Sequence, residues 1–158
     1  MNPLVHPAAP LVRGDAAATV APSSALETDQ HLLEGLAVLR DWGLEPFHQN
    51  VAGRRWGYLA GRDTERHADL EQRAPLLACA RGGWGAARLL EQPMAWSEGW
   101  LLGFSDITAL LWARLAAGYD GNVHGPLLTT LASEPPWSRE RLRRLLFGEP
   151  LTDLNGQA

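Results

Sequence analysis

Residues 100–115 read WLLGFSDITALLWARL, an apolar run that breaks at Gly103, Phe104, Ser105 and Asp106 and resumes at once with helical spacing. The break puts Ser105 at a corner between a strand and a helix. A serine there projects beyond the strand's carboxyl end, and the amide of Asp106 opens a helix whose first N–H groups have no partner inside it. Two readings fit the corner. Ser105 stands as a nucleophile on an elbow, although the second glycine of the Gly-x-Ser-x-Gly form is missing. Or it caps the helix, a common use of serine at such a place. Beyond it Ile107, Leu110, Leu111 and Leu115 recur at helical spacing, Ala109, Ala113, Ala116 and Ala117 fill the rest, and Gly118 sits where a helix-ending glycine belongs. Arg114 is the one charge, so the helix is expected to lie inside a layered domain, buried on nearly all sides.

Toward the N-terminus, residues 76–80 form another apolar run, entered after Pro75 and leading into Arg81, Gly82, Gly83, Trp84 and Gly85. Glycines after a strand let the backbone approach a ligand and present N–H groups to it. Residues 86–91 read as the start of a helix. Asp63 or Thr64 caps a short helix through Leu70, and the preceding stretch 49–62, QNVAGRRWGYLAGR, is a long glycine- and arginine-rich loop of the kind that carries function. Residues 16–20 are a first strand ending in Ala21, Pro22, Ser23 and Ser24. Ser24 and Glu27 have capping-box spacing before a helix marked by Leu32, Leu33, Leu36, Leu39 and Trp42 and stopped by Gly43, and residues 44–47 begin a second, parallel strand.

Toward the C-terminus, residues 121–124 make a fifth strand ended by Gly125 and Pro126, and Ser138 caps a last helix to Phe147 that Gly148 stops. Alternating strands and helices imply an α/β fold of three layers, a mostly parallel sheet with helices on both faces, flavodoxin-like or like the N-terminal domain of class I glutamine amidotransferases. Such sheets bind ligands beyond the carboxyl ends of their strands. Ser23 and Ser24, Gly82 and Gly83, Ser105 and His124 all fall there, and their convergence weighs against a purely capping Ser105.

At 158 residues and 46% hydrophobic content the chain is one folded domain. A formal net charge of −4 disfavours a nucleic-acid partner, and Arg139, Arg141, Arg143 and Arg144 alternate with leucines as on a solvated helix face. The single cysteine, Cys79, excludes a disulfide framework and a cysteine metal site, and its apolar run makes it a buried thiol. His6, His31, His48 and His67 lack metal-ligand spacing, and residues 81–85 lack both a dinucleotide fingerprint and a P-loop lysine, so no metal or cofactor is expected. Residues 1–13, with prolines at 3, 7 and 10, read as a loose arm and not as a secretory signal. No run approaches the ~20 apolar residues of a membrane span, and the expected location is cytoplasmic.

Five motifs in order carry a resemblance over nearly the whole chain. They are Gly57-Tyr58-Leu59-Ala60-Gly61 with Arg66, Asp69 and Leu70; Arg81-Gly82-Gly83-Trp84-Gly85; Gly103-Phe104-Ser105-Asp106-Ile107-Thr108; His124-Gly125-Pro126; and the opening Arg13-Gly14-Asp15 with Ala21-Pro22-Ser23-Ser24. Together they resemble the LD-carboxypeptidase family, which includes cytoplasmic muropeptide carboxypeptidases and the immunity peptidases that destroy microcin C-type compounds. The resemblance implies a serine peptidase that removes the terminal D-alanine from an L–D bond in cell-wall tetrapeptides during recycling. It makes Ser105 the nucleophile and the amides of Asp106 and Gly83 the oxyanion hole. Arg81, Gly82, Trp84 and His124 are implied near the substrate. Arg81 either orders the loop or meets the substrate's terminal carboxylate. Trp84 and the 56–58 loop either line the cleft or pack in the core.

The family's catalytic glutamate and histidine come from a second, C-terminal domain beyond these 158 residues. His124 matches the His-Gly-Pro motif and not the catalytic histidine. The organisation implied is an arm at 1–13, a nucleophile domain at 14–148, and at 149–158 the start of a linker to a domain supplied in cis or in trans. The helix end between Leu70 and Leu76 is shorter than the family's. By this reading the chain alone is an inactive part of a carboxypeptidase acting on a muropeptide or a microcin-like conjugate. The alternative is a non-catalytic peptide-binding domain, and a homodimer is left open.

Overall fold

The computed structural model describes residues 5–48 and 51–155. Five strands, β1 Ala16–Val20, β2 Glu45–Phe47, β3 Leu76–Cys79, β4 Trp100–Gly103 and β5 Asn122–His124, form one sheet in the order β2-β1-β3-β4-β5. Every pairing is parallel. The chain winds outward from β1 to β2 and in the opposite direction from β3 onward, so the topological switch lies between β1 and β3. Register aligns Val20 with Cys79 and Gly103 with His124, bringing the carboxyl ends of four strands to one edge.

Alternation along the strands builds two cores. Leu76, Ala78 and Leu102 face α1 (Gln30–Asp41), α4 (Leu128–Leu131) and α5 (Pro136–Leu146), whose Leu32, Leu36, Leu131, Leu142 and Leu146 are buried with them. Ala18, Leu77 and Leu101 face the opposite way, toward Leu70 of α2 (Asp63–Leu70) and Leu110 of α3 (Thr108–Ala116). Each such leucine, fully withdrawn from water, contributes roughly 1.5–3 kcal/mol. This is the three-layer α/β fold expected, in the flavodoxin-like strand order. Gly35 lets α1 and α4 meet backbone to backbone, since a β-carbon there would stand 2.0 Å from the Leu128 carbonyl oxygen.

Several local expectations are corrected. No capping box forms at Ser24 and Glu27. α1 begins at Gln30, because Ser24 is taken up by the loop after β3. Ser138 lies in the third position of α5. Pro136, which has no N–H to satisfy, begins that helix, and the Ser138 hydroxyl donates to Glu134. Asp63 is likewise the first residue of α2 and not its cap; Glu65 reaches back to accept from the Arg62 amide at 2.7 Å. α4 had no counterpart in the sequence reading. Residues 86–91 make a tight 3-10 turn, Ala87–Glu91, in place of a longer helix.

The larger departures concern α3 and the arm. α3 buries Leu110 and Leu111 but leaves Trp112 66% and Leu115 46% exposed, so it covers the sheet from outside with one face in solvent. Its single charge, Arg114, points inward. The arm expected to be loose is tied along its described part: His6 N donates to Gly118 O, Asp120 N to His6 O, Ala8 N to the Asp120 carboxylate, and Leu11 N to Leu146 O. Trp100 Nε1 donates to Ala9 O at 2.8 Å, and Leu11 is buried. Among the described residues no helix is long and apolar enough to cross a membrane.

Candidate active site

β4 ends at Gly103, Phe104 continues extended, and Ser105 turns the chain at φ +64, the only non-glycine residue with positive φ among those described. A β-carbon in that region costs on the order of 1–3 kcal/mol, and such strain collects at functional sites. A 3-10 turn, Ser105–Ile107, then leads into α3. The Ser105 side chain is exposed, and among the described residues its hydroxyl makes no capping hydrogen bond. It stands beyond the carboxyl end of β4, against the loop after β3.

The loop after β3 closes against it. A β-carbon on Gly82 would lie 3.2 Å from Ser105 Oγ, so only glycine brings the backbone this near without a shift. Gly83, at φ +115, would place its β-carbon 2.2 Å from Ser24 Oγ. Ser24 holds the loop at two points: its amide donates to Gly82 O at 3.3 Å and its Oγ accepts from the Trp84 amide at 3.1 Å. The intervening Gly83 amide and the Asp106 amide have no protein acceptor among the described residues. Two such free donors flanking a serine can stabilise an oxyanion.

The Asp106 carboxylate draws the three loops together. Its Oδ2 accepts from Ser23 Oγ at 2.5 Å and from the Ala86 amide at 2.9 Å, joining the corner after β4 to the loops after β1 and β3. Behind them, the fully buried Arg66 donates through Nη1 to Pro22 O at 2.6 Å and Gly85 O at 2.9 Å, and through Nη2 to Asp63 at 2.6 Å. Desolvation acts against the Asp63 carboxylate, but Arg66 and Arg88 hold its pKa below the ordinary value. Asp69 accepts from the Ala21 amide and from both ends of the Arg54 fork, at 2.9 and 2.6 Å. α2 is therefore the scaffold beneath the site.

The other candidates fall as follows. Arg81 donates to Ala25 O at 2.7 Å. Trp84 is 73% exposed, which excludes the core-packing reading, and Tyr58 is 64% exposed on a neighbouring wall. His124 is exposed at the end of β5, its ring edge-on to Phe104 with centroids 6.2 Å apart. His67 is engaged with Pro93 O in α2, and His48 is exposed after β2. Burial pushes the Cys79 thiol far up, so it is an inert core residue. Among the described residues no group of three or more His, Cys, Asp or Glu could hold a metal ion.

The sequence alone assigns no site role to two contributors. The Asp106 carboxylate was missed because its direction follows from the positive φ one residue earlier. Ser24 has the residue type and spacing of a helix cap, and only its contacts with the loop after β3 give it another use.

Fold and site define the class, a doubly wound α/β protein with an elbow-borne serine packed against a glycine loop. Residues 17–125 match the model of the LD-carboxypeptidase N-terminal domain, and the chain belongs to this family of serine carboxypeptidases. It is 43% identical over 157 residues to an inferred carboxypeptidase of Synechocystis sp., covering 94% of this chain and 52% of that protein. Against the inferred murein peptide carboxypeptidase of Bacillus subtilis it is 31% identical over 134 residues, covering 76% of this chain and 40% of the relative. The chain thus spans about half the length of the curated relatives it matches, or less. Among solved structures, the microcin C7 self-immunity protein MccF superposes with a TM-score of 0.76 at 23% identity, over 88% of this chain and 46% of that one. The muramoyltetrapeptide carboxypeptidase of Oxalobacter formigenes does so at 0.68 and 21%, over 82% and 47%.

Proposed function

We propose that this chain is the nucleophile-bearing half of a serine LD-carboxypeptidase that releases the terminal D-alanine of a cell-wall muropeptide, as in peptidoglycan recycling. The observation that carries the reading is Ser105 at φ +64, exposed and flanked by the unpartnered Asp106 and Gly83 amides. In the proposed reaction Ser105 Oγ attacks the carbonyl carbon of the L–D amide, and the two amides meet the charge developing on its oxygen. A histidine from a second domain takes the Ser105 proton and returns it to the D-alanine amine as the C–N bond breaks, while a glutamate orients that histidine. Water then hydrolyses the acyl-enzyme. The likeness to the Bacillus subtilis relative supports a muropeptide as substrate.

The chain assayed alone is expected to release no D-alanine above background from an L-lysyl-D-alanine tetrapeptide, because a serine without a base is a poor nucleophile. Combined with the second domain, in cis or in trans, it should turn the peptide over, and Ser105→Ala should lower that rate by on the order of 10⁴–10⁶. Robust release by the chain alone would overturn the division of labour. Undiminished turnover in Ser105→Ala would overturn the nucleophile.

A further inference from the structure

A helix that covers a sheet keeps its outer side in water, and charged residues normally stand there. Among the described residues, α1, α2 and α5 follow this rule, turning out Glu34 and Arg40, Glu65, and Glu140 and Arg144. α3 does not. Its outer side consists of Trp112, Leu115 and Ala116, all exposed, with half-buried Ala109 and Ala113 between them. The one charge of the helix, Arg114, is directed inward to backbone carbonyls. Leu33 and Trp137 are exposed on α1 and α5, but each has a charged residue one turn away, Asp29 and Arg141. One turn from Trp112 there are Thr108, Ala109, Leu115 and Ala116. The adjoining 3-10 turn, Ala87–Glu91, adds an exposed Leu90 beside this helix.

The face suits a second copy of itself. A two-fold interface sets one patch against the same patch, so a charged face meets its own sign, whereas an uncharged one meets itself without repulsion. Ala109, Ala113 and Ala116 surround Trp112 and leave hollows for a partner's indole, the ridge-into-groove fit of crossed helices. A second domain is the other claimant, and the course of the chain directs it elsewhere. Residues 149–154 run back along α5: Arg141 donates to Thr152 O, and Leu151 and Leu154 lie beside Trp137. α5 and α3 cover opposite faces of the sheet, so a chain continuing past these residues leaves from the far side. A domain that brings a base to Ser105 approaches the carboxyl edge of the sheet. Leu115 and Ala116 lie about 15 Å down the helix from that serine, toward the amino edge.

We propose that α3 is the interface of a homodimer, in which two copies of this chain cross their α3 helices about a two-fold axis with Trp112 at the centre. This is independent of the peptidase reading of Ser105. A helix of nine residues is about 14 Å long, too short to supply alone the roughly 800 Å² per partner of a standard stable complex. The dimer is therefore reversible, with a Kd on the order of 10–100 μM.

Sedimentation velocity of the 158-residue chain between about 5 and 500 μM tests this. The average mass should rise from near one copy toward two. Trp112→Lys and, separately, Ala116→Arg should weaken association more than about tenfold, and both should unfold in urea within about 0.5 kcal/mol of the wild type, since both positions face water in a single copy. Trp112→Phe, which keeps an aromatic knob, should retain the dimer. Trp137→Lys on α5 and Ser105→Ala should dimerise as the wild type does, so failure of the nucleophile assignment appears in turnover and failure of the interface appears here. A single copy at the highest concentration, or a dimer that survives Trp112→Lys, overturns the proposal. So does a dimer that dissolves when the second domain is added, with Trp112→Lys weakening that domain's binding, because α3 would then be the second domain's seat.

Discussion

Ser105 and Asp106 share one turn but act on stability in opposite directions. Positive φ at Ser105 costs on the order of 1–3 kcal/mol relative to a residue without a β-carbon. Glycine would remove that strain while adding roughly 0.5–1 kcal/mol of unfolded-state freedom. Ser105→Gly should therefore raise the unfolding free energy in urea by roughly 0–2.5 kcal/mol, centred on about 1 kcal/mol, over Ser105→Ala, which keeps the strain. A Ser105→Gly variant about 0.5–1 kcal/mol less stable than Ser105→Ala, the entropy term alone, would show that the corner is not strained. Asp106 works through its carboxylate, which satisfies Ser23 and the Ala86 amide together. Asp106→Ala strands the amide and should cost about 1–3 kcal/mol, whereas an asparagine oxygen can still accept both bonds and should lose much less. The serine was legible because an apolar run stops at it and a helix begins. The carboxylate was not, since nothing in the spacing tells which way a side chain points after a left-handed residue.

At the scale of elements, the loop after β3 and not the strand itself determines what the site can do. Gly83 occupies φ +115 against Ser24, and the Gly83 amide is free because Ser24 has engaged the groups on either side. Gly83→Ala meets both obstacles, a β-carbon 2.2 Å from Ser24 Oγ and a disfavoured backbone. It should cost roughly 2–4 kcal/mol in urea denaturation, combining backbone strain with overpacking. Ser24→Gly in the same chain should return only the part due to the collision. Full recovery in the double variant would mean that the backbone at 83 carries no strain. Strands were easy to read because apolar runs of four or five residues end in glycine, proline or serine. Helix starts were harder: Ser24 and Ser138 have the residue type of caps but are claimed by tertiary partners, and Pro136 outranks a serine two positions later. α4, a single turn held against Gly35 of α1, has too little periodicity to announce itself.

Across the whole molecule, the two edges of the sheet divide the work. Loops at the strands' carboxyl ends build the serine corner, and at the other edge Arg114 ties together the segments that lead into β4 and β5. Its guanidinium, almost fully buried, donates to Gly121 O, Asn122 Oδ1, Ser97 O and Gly99 O at 2.7–3.1 Å and lies over the Tyr119 ring. Tyr119 in turn stacks on His6, which is how the arm comes to be fastened. From sequence Arg114 was the one charge on an apolar helix, a pattern that suggests an exposed residue. It is buried because three backbone carbonyls and one asparagine oxygen converge on a single fork, and that convergence is invisible before the fold is known. Burial lowers the Arg114 pKa from its usual value, yet arginine remains a cation in any accessible range. Arg114→Met keeps the side chain's bulk and removes every one of these bonds, leaving the Ser97 and Gly99 carbonyls without the fork while Gly121 O keeps the Leu101 amide. It should lower the unfolding free energy in urea by on the order of 3–5 kcal/mol, while the chain stays folded at 25 °C if its stability lies in the usual range. Because Gly99 and Gly121 precede their strands and Ser105 follows one, the damage lies a full strand length from the serine. The folded Arg114→Met chain, combined with the second domain, should therefore turn over the tetrapeptide as the wild type does. A loss of less than about 1 kcal/mol would deny Arg114 its structural role, and a parallel loss of turnover would show that the two edges are coupled.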